Sequence, residues 1–446
     1  MSHVLKPLSS VRSGPLSGRV TVPGDKSISH RALLFGALSL GTTRIKGLLE
    51  SEDVVNTARA VTALGAPATR VGDVWQVEGR GLGGFRQPDA PLDFGNSGTG
   101  VRLAMGVVAG QELTVEMIGD ASLSRRPMSR VLNPLKMMGL EVETRDRDTL
   151  PLKLRGSNNL IPIDYNLPVP SAQVKSAVLI AGLQATGTTT VIETEPTRDH
   201  TERMLRFFGA DITSTLGEDG KTRIAVTGGR QLQGQEVTVP ADPSSAAFLI
   251  AAAVLVPGSD ITVEGVLVND TRIGFYRTLQ EMGADLTFAN EREEGGEPIA
   301  DIRVRHSALK GVQVPSDRAP SMIDEYPVLA VVAAFAEGET VMEGLAELKV
   351  KESDRLAATA AGLEANGVST RIEGDTLIVT GRSGSVPGGG FVKTHLDHRI
   401  AMSFLVMGFV SEAPVTVDDI AIIATSFPEF IGLCERIGGR FAPVSE

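Results

Sequence analysis

Cysteine is nearly absent from this chain: Cys434 is the only one in 446 residues. A disulfide framework is excluded, and any thiol chemistry would have to rest on that one residue. It lies in Phe430-Ile-Gly-Leu-Cys434, an apolar helical face, and reads as a buried structural thiol. Aromatic residues are also scarce, at 4%, and no basic stripe interleaved with aromatics occurs. With a net charge of −11 this argues against a nucleic-acid surface, though it leaves room for a locally positive cleft. No apolar run reaches membrane-spanning length; the best, Ala246 to Val256, is too short. Met1 to Gly14 lacks the apolar core of a secretory signal. The remaining expectation is a cytoplasmic enzyme or binding protein, with no nucleic-acid and no membrane partner. At this length a single core is insufficient, so two domains are expected.

Glycine, by contrast, is plentiful at 49 residues, which implies many tight turns. The organising stretch is Val22-Pro-Gly-Asp-Lys-Ser-Ile-Ser-His-Arg31, followed by the apolar run Ala32 to Leu38. A short strand ends at Pro23-Gly24 and a helix begins beyond it, with Ser27 or Ser29 available as its cap. Lys26, Ser27 and Arg31 thus stand at a helix start, where unpaired N–H groups and the helix dipole favour an anion. The match to a P-loop is poor, because the adjacent Gly-Lys is missing.

This design recurs. Ser/Gly/Asp/Pro-rich loops precede Ala/Leu/Val-rich runs at Asp25–Ser29, Gly95–Thr99, Ser171–Lys175, Ala241–Ser245, Pro320–Asp324 and Thr394–His398, about every 75 residues. Each run is followed by a small turn and a β-rich segment: Gly41–Ile45, Glu112–Glu116, Gly187–Val191, Ser259–Val263, Gly338–Val341 and Pro414–Val417. A second amphipathic helix then ends in glycine, a C-cap signal. Six α/β units suggest two domains of three. Val237-Thr-Val-Pro-Ala-Asp-Pro-Ser244 echoes Val20-Thr-Val-Pro-Gly-Asp-Lys-Ser27. The expected division is a discontinuous domain of residues 1–24 and 242–446 with an inserted domain, 25–241, and hinges near 22–26 and 239–244.

If equivalent loops face one cleft, their cations converge: Lys26, Arg31, Arg102, Arg125, Arg126, Arg130, Lys175, Arg198, Lys351, Arg355 and Arg399. An acidic protein with cations gathered at helix starts suits small polyanions. Asp324, and Glu352 in Lys351-Glu-Ser-Asp-Arg355, are the candidate acid–base groups; Lys351 and Arg355 stand four apart, as on one helical face. Which of them takes and which gives a proton stays open at this level. His395-Leu-Asp-His398 is too incomplete a ligand set for a metal, and none is expected.

Several long segments together resemble the 5-enolpyruvylshikimate-3-phosphate synthase family, over roughly residues 18 to 440. They are Pro23–Arg31, Gly95–Arg102, Gly119-Asp-Ala-Ser-Leu-Ser-Arg-Arg-Pro-Met128, Ser171–Lys175, Ile323-Asp-Glu-Tyr-Pro327, Lys351–Arg355 and Asp397-His-Arg399. Arg198-Asp-His-Thr-Glu202 and Asn269-Asp-Thr-Arg272 resemble its bacterial class II subgroup. The resemblance implies an α/β, two-domain enolpyruvyl-transferase fold of six βαβαββ repeats, of the inside-out α/β barrel type, that closes on its substrates. It implies transfer of the enolpyruvyl group of phosphoenolpyruvate to the 5-hydroxyl of shikimate 3-phosphate, through a tetrahedral ketal, by a monomer needing no cofactor. By similarity Lys26, Gly98, Arg126, Gln173, Arg355 and Arg399 hold phosphoenolpyruvate. Lys26, Ser27, Arg31, Ser171, Ala172, Gln173, Arg198, Asp324 and Lys351 hold shikimate 3-phosphate. Asp324 is the expected base for the 5-hydroxyl, Glu352 the expected proton donor to C3, with Lys351 sharing the transfer and Lys26 beside it.

Two features bear on this implication. Gly98 stands where glyphosate-tolerant relatives can carry alanine, so sensitivity to that inhibitor is expected. The lysine that many relatives place before the last Thr-Phe-Pro is not evident in Ala424-Thr-Ser-Phe-Pro428. Two rivals remain: the UDP-N-acetylglucosamine enolpyruvyl transferases, most of which use a loop cysteine that Gly119–Arg130 lacks, and a non-catalytic anion-binding protein.

Overall fold

In a computed structural model, which describes residues 5–444, the Ala/Leu/Val-rich runs become helices that are buried on nearly every side. A helix apolar all round has no solvent face and belongs in a core. The chain forms two compact units, each with its own hydrophobic interior. One comprises Met1–Pro23, Ala241–Glu293 and Pro298–Glu446; the other Gly24–Pro240 with Glu294–Glu297.

In the Gly24–Pro240 unit the interior helices are Lys26–Leu38, Gly98–Ala109 and Ala172–Gly182. The second packs on the other two. Its approach to Ala172–Gly182 requires Gly106, since a methyl there would collide with the Ala177 carbonyl. In the other unit Pro243–Leu255, Tyr326–Phe335 and His398–Gly408 pack on one another. Amphipathic helices such as Glu52–Ala63, His200–Phe207, Arg355–Ala365 and Phe430–Ile437 lie outside them. Cys434 is fully buried on the last, where burial pushes its thiol well up.

Among the described residues there are six four-stranded sheets, three in each unit. Each has a parallel pair at one edge, followed by antiparallel pairing. In the Gly24–Pro240 unit, for example, Glu236–Thr238 runs parallel to Thr42–Lys46 with Val237 opposite Ile45, and Thr42–Lys46 runs antiparallel to Val74–Glu78. In the other unit Ser17–Val20 lies parallel to Asp260–Leu267.

The helix starts depart from the sequence expectation in two places. Asp25, not Ser27 or Ser29, caps the Lys26–Leu38 helix, its carboxylate accepting from the Ile28 N–H at 2.8 Å. Ser27 and Ser29 lie inside the first turn. Lys351 and Arg355 do not share a helical face, because Asp354 caps a helix that begins only at Arg355. Lys351 instead follows the 3-10 turn Ala346–Val350.

Candidate functional site

Each unit gathers charged side chains at the starts of its helices. In the Gly24–Pro240 unit Lys26 opens its helix and its ammonium pairs with Asp53, a 7% exposed carboxylate on the Glu52–Ala63 helix. Sequence reasoning missed Asp53, whose only local signal is Ser51-Glu-Asp53 at a helix start. His30, one turn on, is completely buried between the Thr57 and Ser97 hydroxyls, 2.9 and 3.5 Å from its ring nitrogens. Burial, then the charges of Lys26 and Arg31, hold its pKa well below the ordinary value, so it is a neutral spacer.

Arg31 is almost fully buried, and all three guanidinium nitrogens donate within the unit. Nε reaches Thr201 Oγ1 at 2.8 Å, Nη2 reaches Ser176 Oγ at 2.8 Å, and Nη1 the Ser27 carbonyl at 3.0 Å. Burial pushes its pKa down to about 10, against the favourable field of Glu202. Arg198 adds to the lowering, so the two arginines feel each other's charge.

Ser97 caps the Gly98–Ala109 helix and Ser171 caps Ala172–Gly182. Gln173 Oε1 accepts from Arg102 Nη1 at 3.1 Å while its Nε2 donates to Thr99 Oγ1 at 3.0 Å. Arg126 Nη2 donates to Asn96 Oδ1 at 2.6 Å and to Ser122 Oγ at 3.2 Å. The two guanidiniums converge over Gly98: a methyl there would lie 2.9 Å from Arg102 Nη1 and 3.1 Å from Arg126 Nη1. Gly98, Gln173, Arg102 and Arg126 thus form one local cluster. Arg125 and Arg130 are exposed.

Lys175 does not belong with the binding cations. It is fully buried, with Nζ 2.7 Å from Glu202 Oε1 and 3.2 Å from Glu193 Oε2. Burial alone would lower its pKa; the two carboxylates outweigh that and raise it.

In the other unit the centre is Arg355, 1% exposed. Nε donates to Asp397 Oδ2 at 2.7 Å, Nη1 to Asp324 Oδ1 at 3.1 Å, and Nη2 to Glu352. Burial opposes the charge, but Asp397, Glu352 and Asp324 together hold its pKa above the ordinary arginine value. One buried cation therefore ties together both candidate acid–base carboxylates. Arg399, in the first turn of the His398–Gly408 helix, lies with Nε 3.9 Å from Asp324 Oδ1 and Nη1 3.8 Å from Glu325 Oε1. Asp397 caps that helix, and its carboxylate accepts from Arg355, Ser353 and the Arg399 N–H. The sequence motif contained Asp397 but gave no sign of this partner. Lys351 and Glu352 are half-buried beside the hub in sequence.

The arrangement offers two groups of fixed guanidinium donors, with paired carboxylates in one of them, which is suited to phosphate and carboxylate ligands and to proton transfer between them. Comparison with known proteins agrees with that class. The sequence model of EPSP synthase (3-phosphoshikimate 1-carboxyvinyltransferase) matches residues 11–433. The chain belongs to the EPSP synthase family. It is 60% identical over 441 residues to the 3-phosphoshikimate 1-carboxyvinyltransferase of Parvibaculum lavamentivorans, covering 99% of this chain and 98% of that one. It is 59% identical over 445 residues to that of Brucella canis, covering 99% of each. A solved EPSP synthase structure from Acinetobacter baumannii superposes with a TM-score of 0.88 at 44% identity, covering 98% of this chain and 99% of that one.

Proposed function

We infer that this chain is a transferase of the shikimate pathway, moving the enolpyruvyl group of phosphoenolpyruvate to the 5-hydroxyl of shikimate 3-phosphate and releasing phosphate. The observation that carries the chemistry is the Arg355 hub, with Asp324 and Glu352 held on one guanidinium. Asp324, already a hydrogen-bond acceptor, takes the proton of the 5-hydroxyl as that oxygen attacks C2 of phosphoenolpyruvate. Glu352, with Lys351, delivers a proton to C3, giving a tetrahedral ketal. Phosphate then leaves C2 as a C3 proton is removed, restoring the double bond.

The binding roles follow the two clusters. Lys26, Gly98, Arg126, Gln173, Arg355 and Arg399 serve phosphoenolpyruvate. Ser27, Arg31, Ser171, Ala172 through its backbone, Gln173 and Arg198, with Asp324 and Lys351, serve shikimate 3-phosphate. Lys26 is assigned to both. The same reading makes the chain crossings near 22–26 and 239–244 hinges between the domains 25–241 and 1–24 with 242–446. Orienting two substrates and excluding water is worth several kcal/mol in such a bimolecular reaction. A cytoplasmic monomer completes the proposal; no described helix is long and apolar enough to cross a membrane.

The test is phosphate release with both substrates and with each omitted in turn. Release that needs both supports the transferase. Binding of both without release would leave only an anion-binding protein.

A further inference from the structure

The residue preceding Arg198 is gripped by a buried charge cluster that takes no part in the proposed chemistry. Lys175 lies in the first turn after Ser171 and Gln173, completely buried, against Glu193 and Glu202, each 5% exposed. The same cluster holds Thr197 at three points. Its hydroxyl donates to Glu193 Oε2 at 2.9 Å, its backbone N–H to Glu193 Oε1 at 3.5 Å, and its carbonyl accepts from Lys175 Nζ at 3.4 Å. Neighbours of these residues on the same two helices, Ser176 and Thr201, bond to each other at 2.7 Å and to Arg31.

A buried lysine with two buried carboxyl groups is an expensive way to fill a core, since apolar residues of similar volume usually do as well. Their arrangement answers a local need. Arg198 directly follows Thr197 in the chain, so the three bonds on Thr197 fix the backbone from which Arg198 projects, next to the helices whose Ser176 and Thr201 hold Arg31. The cluster, one lysine and two carboxyl groups, supplies that grip.

We propose that Lys175, Glu193 and Thr197 form a positioning clamp that holds Arg198 in place beside Arg31 and so sets the affinity for shikimate 3-phosphate. The clamp residues touch no substrate, and the proposal rests on the assignment of Arg31 and Arg198 to that ligand.

Thr197→Val is the test, because it keeps the shape of the side chain and leaves the Lys175 ion pairs intact. Steady-state kinetics for both substrates are measured on the wild type, Thr197→Val, Thr197→Ser, Arg198→Ala and the Thr197→Val/Arg198→Ala double variant. Loss of one charge-assisted hydrogen bond corresponds to a rise of about fivefold or more in KM for shikimate 3-phosphate. The KM for phosphoenolpyruvate and kcat should stay within about twofold of the wild type, a split that general loosening of the fold would not give. Thr197→Ser, which keeps the hydroxyl, should restore the wild-type KM. In the Arg198→Ala background Thr197→Val should add nothing, since the residue through which it acts is gone. An unchanged KM in Thr197→Val, an equal rise for both substrates, or a full additive effect in the double variant overturns the clamp. A wild type that releases no phosphate overturns the activity itself, a result distinct from an active wild type with an unresponsive Thr197→Val.

Discussion

Arg355 Nε donates to Asp397 Oδ2 at 2.7 Å across 42 residues of chain, and both side chains are buried. The other oxygen of Asp397 accepts from the Arg399 N–H at 3.0 Å. A single carboxylate thus fixes the direction of one arginine and the helix start that carries another. The design needs all its members, because a buried charge without its partner is costly.

Asp397→Asn tests this economy. The amide keeps the size and an acceptor oxygen but removes the charge opposite Arg355. Breaking a buried pair typically costs about 3 kcal/mol, so the denaturation midpoint of the unit should fall. The KM for phosphoenolpyruvate should rise about tenfold or more, while that for shikimate 3-phosphate changes less. Kinetics with each substrate varied in turn checks the split; equal losses would assign Asp397 to folding alone.

Asp324→Asn separates chemistry from binding. Asp324 Oδ1 accepts from Arg355 Nη1 at 3.1 Å, and an amide oxygen can take its place as acceptor but cannot take a proton. Turnover should drop about 100-fold to 10,000-fold, the usual contribution of a positioned base. Binding of shikimate 3-phosphate, followed by titration calorimetry, should survive within about tenfold. Retained turnover would remove Asp324 from the base role.

Much of this was legible in the sequence because it is local. The strand expected at Gly41–Ile45 runs Thr42–Lys46, and the one expected at Gly187–Val191 runs Thr188–Glu193. Apolar runs became buried helices, since run length is written within a few residues, while the first cap fell to Asp25 and not to Ser27 or Ser29. What escaped were partners far apart in the chain. Lys175 looks like any cation at a helix start until Glu193 and Glu202 close over it. Arg31 looks like a free donor until Thr201 and Ser176 occupy its fork. Charge can be counted from sequence; which face of a helix it falls on, and what meets it there, depends on packing.

Gly98→Ala tests the arginine pair over the helix start. The added methyl would stand 2.9 Å from Arg102 Nη1 and 3.1 Å from Arg126 Nη1, so one or both flexible guanidiniums must move. The φ of Gly98 is not in the left-handed region, so the backbone tolerates the change and the effect is steric. The KM for phosphoenolpyruvate should rise several-fold with little effect on that for shikimate 3-phosphate. Glyphosate, whose phosphonate needs the same room, should inhibit the wild type and inhibit the variant less. Equal inhibition of both would remove the steric explanation.

His30 supplies a dependence on pH. Its ring is fully buried between Thr57 and Ser97, and burial with the nearby Lys26 and Arg31 charges holds its pKa well below about 6.5, the unfolded value. As pH falls below that value the unfolded chain takes up a proton that the folded chain refuses. The unfolded state then binds more protons, so stability is full above about 6.5 and is lost as pH falls towards the lower folded pKa. His30→Asn retains a polar group near Thr57 but cannot ionise. The single tryptophan, Trp75, lies in the same unit and reports its unfolding by fluorescence. Between pH 7.5 and pH 5.5 the wild-type melting temperature should fall further than that of His30→Asn. Carboxylates titrate in both proteins and cancel in the difference, which leaves the histidine. Parallel pH curves for the two proteins would mean that His30 accepts its proton without leaving the folded state.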